Sequence, residues 1–584
     1  MSFLSALLST AVMLIPLPQD AKTLCEKGTH KFDRGDFKGA IEDYSEALKY
    51  DPRSVMALNQ RGRARFELDD FDGAIADYTA AISLSPKDPA LYDNRGMARK
   101  GKGEFQGALA DYERALSLDA LFAPAWRNRG ALRRVQGDLD GALKDLDRAI
   151  ELSPKDPSAY HNRGNARADR GDFERALQDF QRALELKPKT ALYLSNLGDL
   201  YRQMKKPTEA MAQLDRAIEL DPGLADSYFH RAQVYHERGE FDRAIADLTM
   251  GIERNPREPK AFNNRANARA RNKDLPGALP DYARAIELKP DYANAYANRG
   301  EVRKALGDVE GSMSDLDRAI ALGFKRAEVF LLHGQLLSDR GDWEKAAQDF
   351  ERAIDLNPKL AEAYYARGAY RNHRLDWDSA IEDFTKVLEL EPKASDAYFQ
   401  RGRARHGKSD LDGALSDVAQ ALAIKPNNME ALHRRGCLLY DLRDWKGARS
   451  DFRRLLELKS LYLDYARFRL WICSSRLGQR QDATKELLNV FSDRKLEDWP
   501  GRIAAYLGGT IDETEFLKAA EGGPSEQIGG RRCEARFYIG VVRALDGDKQ
   551  GAADQFTACL ETNKKTFFEY TSAAAELRAL KDGK

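Results

Sequence analysis

The segment that most resembles a chemical motif runs Gly402-Arg-Ala-Arg-His-Gly-Lys-Ser409. It fits the spacing G-x4-G-K-[ST], in which a glycine-rich loop after a strand wraps phosphate with its amides. Gly402, however, keeps the register of a series of helix-packing glycines described below, so a helix is expected here and no nucleotide. The eight histidines all fall on predicted first helices, with His373, His406 and His433 in successive repeats. A metal needs converging ligands at about 2 Å, and nothing nearby supplies them. Solvated histidines are expected instead. No His-Glu-x-x-His, nucleophile elbow or Cys-x-x-Cys is present. The chain is therefore expected to hold no catalytic residue, no metal and no cofactor.

Composition narrows the class further. The 584 residues include 93 Lys+Arg and 93 Asp+Glu, a formal net charge of zero. A nucleic-acid binder should carry a basic excess, so no nucleic-acid partner is expected. The 42% apolar content can build a core. Five cysteines are too few for a disulfide framework. Residues 1–20 stand apart. Phe3–Leu17 is apolar and uncharged, like the core of a secretory signal peptide. Two readings stay open: an export signal, or a hydrophobic cap on the N-terminal end. Leu24 before Cys25 is not a lipoprotein signal. No apolar run long enough to span a membrane follows residue 20.

What organises the chain is a period. Gly28, Gly62, Gly96, Gly130, Gly164 and Gly198 are each 34 residues apart; Ala232, Ala266, Gly300, Gly334, Gly368, Gly402 and Gly436 continue the series. That makes thirteen uninterrupted repeats over residues 21–462. Twelve places after each comes a second small residue, such as Ala40, Ala74 or Ala108, and seven further on usually a third, such as Ala47 or Ala81. Small side chains at these points let two helices approach closely. Asp36, Asp70, Glu104, Asp138, Asp172, Glu240, Asp308 and Asp342 recur where a second helix would begin, and an acid there can cap it. Proline closes most repeats, as at Pro52, Pro86 and Pro154.

This spacing resembles the tetratricopeptide repeat (TPR) family of helix–turn–helix units. The resemblance implies an all-α, right-handed superhelical solenoid whose first helices line a concave groove that binds peptides or proteins. Number each repeat from its first residue (Ala21, Val55, Pro89 and so on). The resemblance then puts positions 2, 5, 9, 12 and 13 on the concave side, with 6 nearby. Position 6 is Asn in Asn94, Asn128, Asn162, Asn196, Asn264 and Asn298, and position 9 is Asn in Asn165 and Asn267. Such a row of carboxamides could bond an extended peptide backbone or bond within the scaffold. Tyr365, Phe399 and His433 at position 5, with Tyr440 at position 12, suggest an apolar anchor site or packing between helices. The chaperone-type carboxylate clamp is not expected, because Asp226 and His230 stand where it needs cations.

One departure from the family is systematic. Position 7, often Leu, is Arg in ten repeats; position 11, often Tyr, is Arg in eight; position 23, often aromatic, is Asp in twelve. Repeat six has Leu197, Tyr201 and Gln213 instead. The acid and the bases are thus kept or lost together. Ion pairs are predicted from Arg61 and Arg65 to Asp77, from Arg95 and Arg99 to Asp111, from Arg129 and Arg133 to Asp145, and from Arg163 and Arg167 to Asp179.

Beyond residue 462 the register breaks. Residues 463–532 read as a degenerate helical stretch, with a flexible segment expected between Gly522-Gly523-Pro524 and Gly529-Gly530. Residues 533–584 return to TPR spacing through Gly540, Ala552, Phe556 and Cys559, followed by a capping helix. The Trp499…Tyr506-Leu507-Gly508, Phe537-Tyr538-Ile539-Gly540 and Phe568-Glu569-Tyr570 segments resemble the bacterial outer-membrane TPR lipoproteins. That resemblance implies a noncatalytic envelope adaptor for proteases or cell-wall enzymes. The expected function is a protein-binding scaffold, exported to the periplasm or secreted; the alternative is a cytoplasmic adaptor of co-chaperone type.

Overall fold

A computed structural model of the chain describes residues 18–458, 463–492 and 498–582. The apolar stretch Phe3–Leu17 and the end of the repeat register at Tyr462 lie outside the described residues. The described residues form 33 helices and no strand. Each repeat is a helix pair, for example Pro157–Asp169 and Phe173–Leu186 in repeat five. The small residues set how closely the pair packs. A Cβ on Gly96 would stand 2.6 Å from the ring of Tyr112, and Ala108 and Ala115 on either side of that tyrosine are fully buried. The turn between the helices needs one left-handed residue. Gly171 supplies it at φ +83° in repeat five, and Asp69, Lys273 and Leu375 adopt the same conformation where glycine is missing.

The acids at the second-helix start mostly act as caps. Asp70 accepts from the amide of Gly73 at 3.0 Å and Asp138 from that of Gly141 at 2.9 Å, satisfying a donor the helix leaves open. Glu104, Glu240 and Asp342 make no such bond. The two glutamates turn outward to neighbouring bases: Glu104 pairs with Lys102 at 2.7 Å and Glu240 with Arg238 at 2.8 Å.

The chain divides into two compact units, residues 1–298 and 299–584, with the division inside the first helix of repeat nine, Ala293–Ala305. In the first unit the apolar clusters are small and bridge neighbouring repeats, as Leu58, Ile82, Leu91 and Leu116 do. That is the pattern of a stack whose members touch only their neighbours. The second unit adds three more helix pairs and a terminal helix, Phe568–Lys581, after repeat thirteen. They share one large cluster that includes Phe452, Phe468, Trp471, Phe516 and Phe537. The segment expected to be flexible is not a break: Ser525–Leu545 is one helix through Gly529 and Gly530. These glycines are packing sites. A Cβ on Gly530 would stand 2.8 Å from the ring of Phe567. Residues 402–407 lie inside the helix Ser395–Gly407, so the G-x4-G-K-S spacing forms no phosphate loop. All five cysteines are buried and free. Among the described residues no helix is long and apolar enough to cross a membrane.

Candidate functional site

The charged positions form a ladder through the stack. Asp179 is 3% exposed. Arg163 grips it with two bonds, Nε to Oδ2 at 3.0 Å and Nη2 to Oδ1 at 2.7 Å, and Arg167 adds Nη1 to Oδ2 at 2.7 Å. Arg61 and Arg65 hold Asp77 in the same way, as do Arg95 and Arg99 with Asp111 and Arg129 and Arg133 with Asp145. Two rungs differ. In repeat one Lys31 at position 11, not the residue at position 7, reaches Asp43 at 2.8 Å. In repeat ten His333 Nδ1 meets Asp349 at 2.6 Å.

The ladder also does something the spacing within one repeat did not reveal. The position-7 arginine reaches back to position 25 of the preceding repeat. Arg163 bonds Asp147 at 2.8 Å, Arg231 bonds Asp215 at 2.8 Å, Arg95 bonds Thr79 at 3.2 Å and Arg265 bonds Thr249 at 3.1 Å. These rungs therefore couple two repeats. In repeat six Leu197 and Leu200 are buried, and an apolar cluster replaces the charges.

Four of the six asparagines at position 6 bond within the scaffold. Asn94 donates to Asn59 at 2.9 Å, Asn128 to both carboxylate oxygens of Asp93 at 3.0 Å, Asn196 to His161 Nε2 at 2.7 Å and Asn298 to Asn263 at 3.3 Å. In each case the acceptor is position 5 of the preceding repeat. Burial pushes the Asp93 carboxyl up to about 6, against the bond from Asn128. Burial likewise lowers His161 to about 4, which suits a neutral ring accepting at Nε2. Of the three histidines expected to be solvated, His373 is exposed while His406 and His433 are buried, as are His161 and His333.

The open part of the concave side in the first unit is a groove of about 430 Å³ across repeats five to eight. Asn165, Asn196, Asn264 and Gln233 line it with carboxamides, and Leu192 and Phe229 offer apolar surface. Leu192 is 39% exposed. Gln233 and Asn264 continue into a second cavity of about 220 Å³ that Asn267 also lines. Asn94, Asn128, Asn162 and Asn298 line neither. Most charges here are neutralised in place: Arg134 pairs with Asp169 at 3.0 Å, and Arg202 with Asp199 at 2.8 Å and Glu237 at 2.5 Å. Burial would raise the Asp199 carboxyl, but His230, Arg202 and Gln203 around it hold it below its ordinary value. Asp226 and Lys260 line the groove without an ion pair among the described residues. Such a surface can hold an apolar side chain on Leu192 and Phe229 while carboxamides bond the backbone on either side. Leu192, Phe229 and Gln233 sit at positions 2, 5 and 9, the concave set, and the composition of repeats six and seven could have found them.

The aromatic row of the second unit is not an open anchor site. Phe399, His433 and Tyr440 are buried. Tyr365 packs edge-on to Phe384 at 5.6 Å and Phe399 lies under Arg434. The terminal helix covers the rest: Phe568 meets His433 at 4.7 Å between ring centroids, and Tyr440 donates to Glu576 at 2.5 Å. Apolar rings on adjacent first helices bury most area by packing on each other and on this helix.

Family models described as tetratricopeptide repeat or TPR repeat match residues 25–89, 89–120, 132–169, 155–223, 229–293, 334–372 and 369–428. Among solved structures, the chain is similar to YrrB, a TPR protein with an unusual peptide-binding site. The two are 27% identical over 32% of this chain and 97% of that one, with a TM-score of 0.31. A tetratricopeptide repeat protein from Parabacteroides merdae is 22% identical over 43% of this chain and 99% of that one, with a TM-score of 0.37. MamA is 29% identical over 28% of this chain and 95% of that one, with a TM-score of 0.25. Comparison with curated proteins gives no match.

Proposed function

This chain belongs to the tetratricopeptide repeat family, and from that premise we propose that it is a noncatalytic scaffold binding an extended peptide or protein segment in the groove of repeats five to eight. The observation that carries the reading is the combination of Leu192, exposed within the groove, with the carboxamides of Asn165, Asn264 and Gln233 around it. A ligand side chain that covered Leu192 and Phe229 would remove apolar surface from water on both partners. Carboxamides beside it serve any peptide backbone, so affinity comes from one anchor and modest sequence demand.

Leu192→Glu tests this. Leu192 is largely outside the core, so the thermal midpoint should stay within a few degrees. A buried charge at the anchor should weaken peptide binding at least tenfold, or about 1.4 kcal/mol, by titration calorimetry. Unchanged affinity would remove the groove from the account.

We further propose that the scaffold works outside the cytoplasm as an adaptor for envelope enzymes. The apolar Phe3–Leu17 stretch and the tail segments named above support this reading. N-terminal sequencing of the mature chain decides it, since an intact Met1 on cytosolic protein would exclude export.

A further inference from the structure

The terminal helix, Phe568–Lys581, does more than end the stack. It lies on the first helices of repeats twelve and thirteen, Ser395–Gly407 and Met429–Asp441. His433, Arg434, Tyr440 and Asp441, which it meets there, stand at positions 5, 6, 12 and 13 on the concave side. Phe568 packs on His433 at 4.7 Å, with the guanidinium of Arg434 4.8 Å above its ring. Ser572 donates to Asp441 at 2.5 Å. Glu576 accepts from Tyr440 at 2.5 Å and from Arg476 at 3.0 Å, and Glu569 pairs with Arg469 at 3.2 Å. The acids lie on the helix and the arginines on the surface it covers. Phe568, Glu569, Ser572 and Glu576 build this contact, while the helix also packs on Lys549–Glu561 and Ser525–Leu545 of the preceding pair.

We propose that this helix is an internal ligand closing the concave wall of repeats twelve and thirteen, and that an amphipathic helix of a partner, with Phe and Glu in the same spacing, takes the wall by displacing it. Three features favour exchange over a permanent seal. The helix is the last in the described chain, and left-handed Asn563 (φ +53°) stands in the connection before it. Its contacts to Met429–Asp441 and Leu463–Arg476 are mostly polar and charged, as at separable surfaces. The seal is also imperfect: His406 Nε2 faces Asp441 Oδ2 at 3.5 Å, and these atoms and Arg476 Nε are buried without a hydrogen bond. A partner helix that reached those three atoms would bind more tightly than the resident one. The proposal shares with the function above only the idea that first helices form the binding face; it does not involve Leu192.

The test uses the full chain and a labelled synthetic peptide of residues 565–584. The peptide should bind the unaltered chain weakly and a Phe568→Ala, Glu576→Gln variant at least tenfold more tightly, by fluorescence anisotropy. A variant that keeps its helical circular dichroism but gains no affinity overturns the proposal. Hydrogen exchange on the unaltered chain supplies a second readout that needs no variant. Amides of Phe568–Lys581 should exchange at least tenfold faster than those of Ser525–Leu545, because a displaceable helix opens locally. Equal protection would show one cooperative body and also overturn it. Loss of binding on Leu192→Glu would leave both readouts unchanged.

Discussion

Asp179→Ala should destabilise the stack around repeat five by about 3–5 kcal/mol, the usual cost of leaving buried charge unpaired. Arg163 and Arg167 both end on that carboxylate, and their side chains are only 16% and 19% exposed. Removing the acid leaves Arg167 without its carboxylate and Arg163 with Asp147 alone, in a narrow space between helices. The same reasoning predicts that removing the whole rung is mild. A triple variant carrying repeat six's own residues, Arg163→Leu, Arg167→Tyr and Asp179→Gln, should cost less than about 1.5 kcal/mol, since buried ion pairs replaced by packed side chains are often neutral. A repeat array does not unfold in one step, so the measurement is hydrogen exchange of repeats four to six in each protein. Single and triple variants of equal stability would show that the rung is solvated charge of little consequence. A triple variant far worse than the single would show that the link from Arg163 to Asp147 matters more than the buried carboxylate.

Arg469→Ala should have an effect of similar size, about 3–5 kcal/mol, for the same reason in reverse. Arg469 is 1% exposed, lies 5.0 Å over the Tyr440 ring and 4.7 Å over Phe537, and bonds Ser572 and Glu569. Its loss leaves Glu569, 5% exposed, with Tyr538 at 3.5 Å as the remaining side-chain partner. A cavity of guanidinium size opens beside two aromatic rings as well. Thermal unfolding should show an early transition confined to the tail, with repeats one to eight melting as before. A single unchanged transition would mean that Arg469 is replaceable by water, contrary to its burial.

Much of this architecture could be read from residue spacing. The glycine at position 8 and the alanines at 20 and 27 reveal the helix pair because close packing tolerates little else there. The Arg–Asp rungs were legible for a different reason: repeat six loses all three members together. Contacts between repeats were harder to see. Thr79, Asp147, Asp215 and Thr249 share no residue type, so their common role as acceptors for the next repeat's arginine has no sequence signature. Asn128 and Asn196 illustrate a second limit. A carboxamide at a concave position can serve the ligand or the scaffold, and only the placement of Asp93 and His161 one repeat earlier assigns these to the scaffold. His433 and Tyr440 illustrate a third. They stand at concave positions, yet a helix more than a hundred residues later covers them, and no local pattern encodes that.

The central claim is that this scaffold meets its partner through the groove of repeats five to eight. A photo-crosslinking residue in place of Gln233, which lines both cavities of that groove, tests it most directly. The control places the same group at Arg216, exposed on the second helix of repeat six. Irradiated in cells and mapped by mass spectrometry, position 233 should yield adducts with one reproducible set of extended segments, and position 216 should yield none of them. The same segments captured equally at both positions, or partners that copurify while 233 stays unlabelled, would place recognition elsewhere on the molecule.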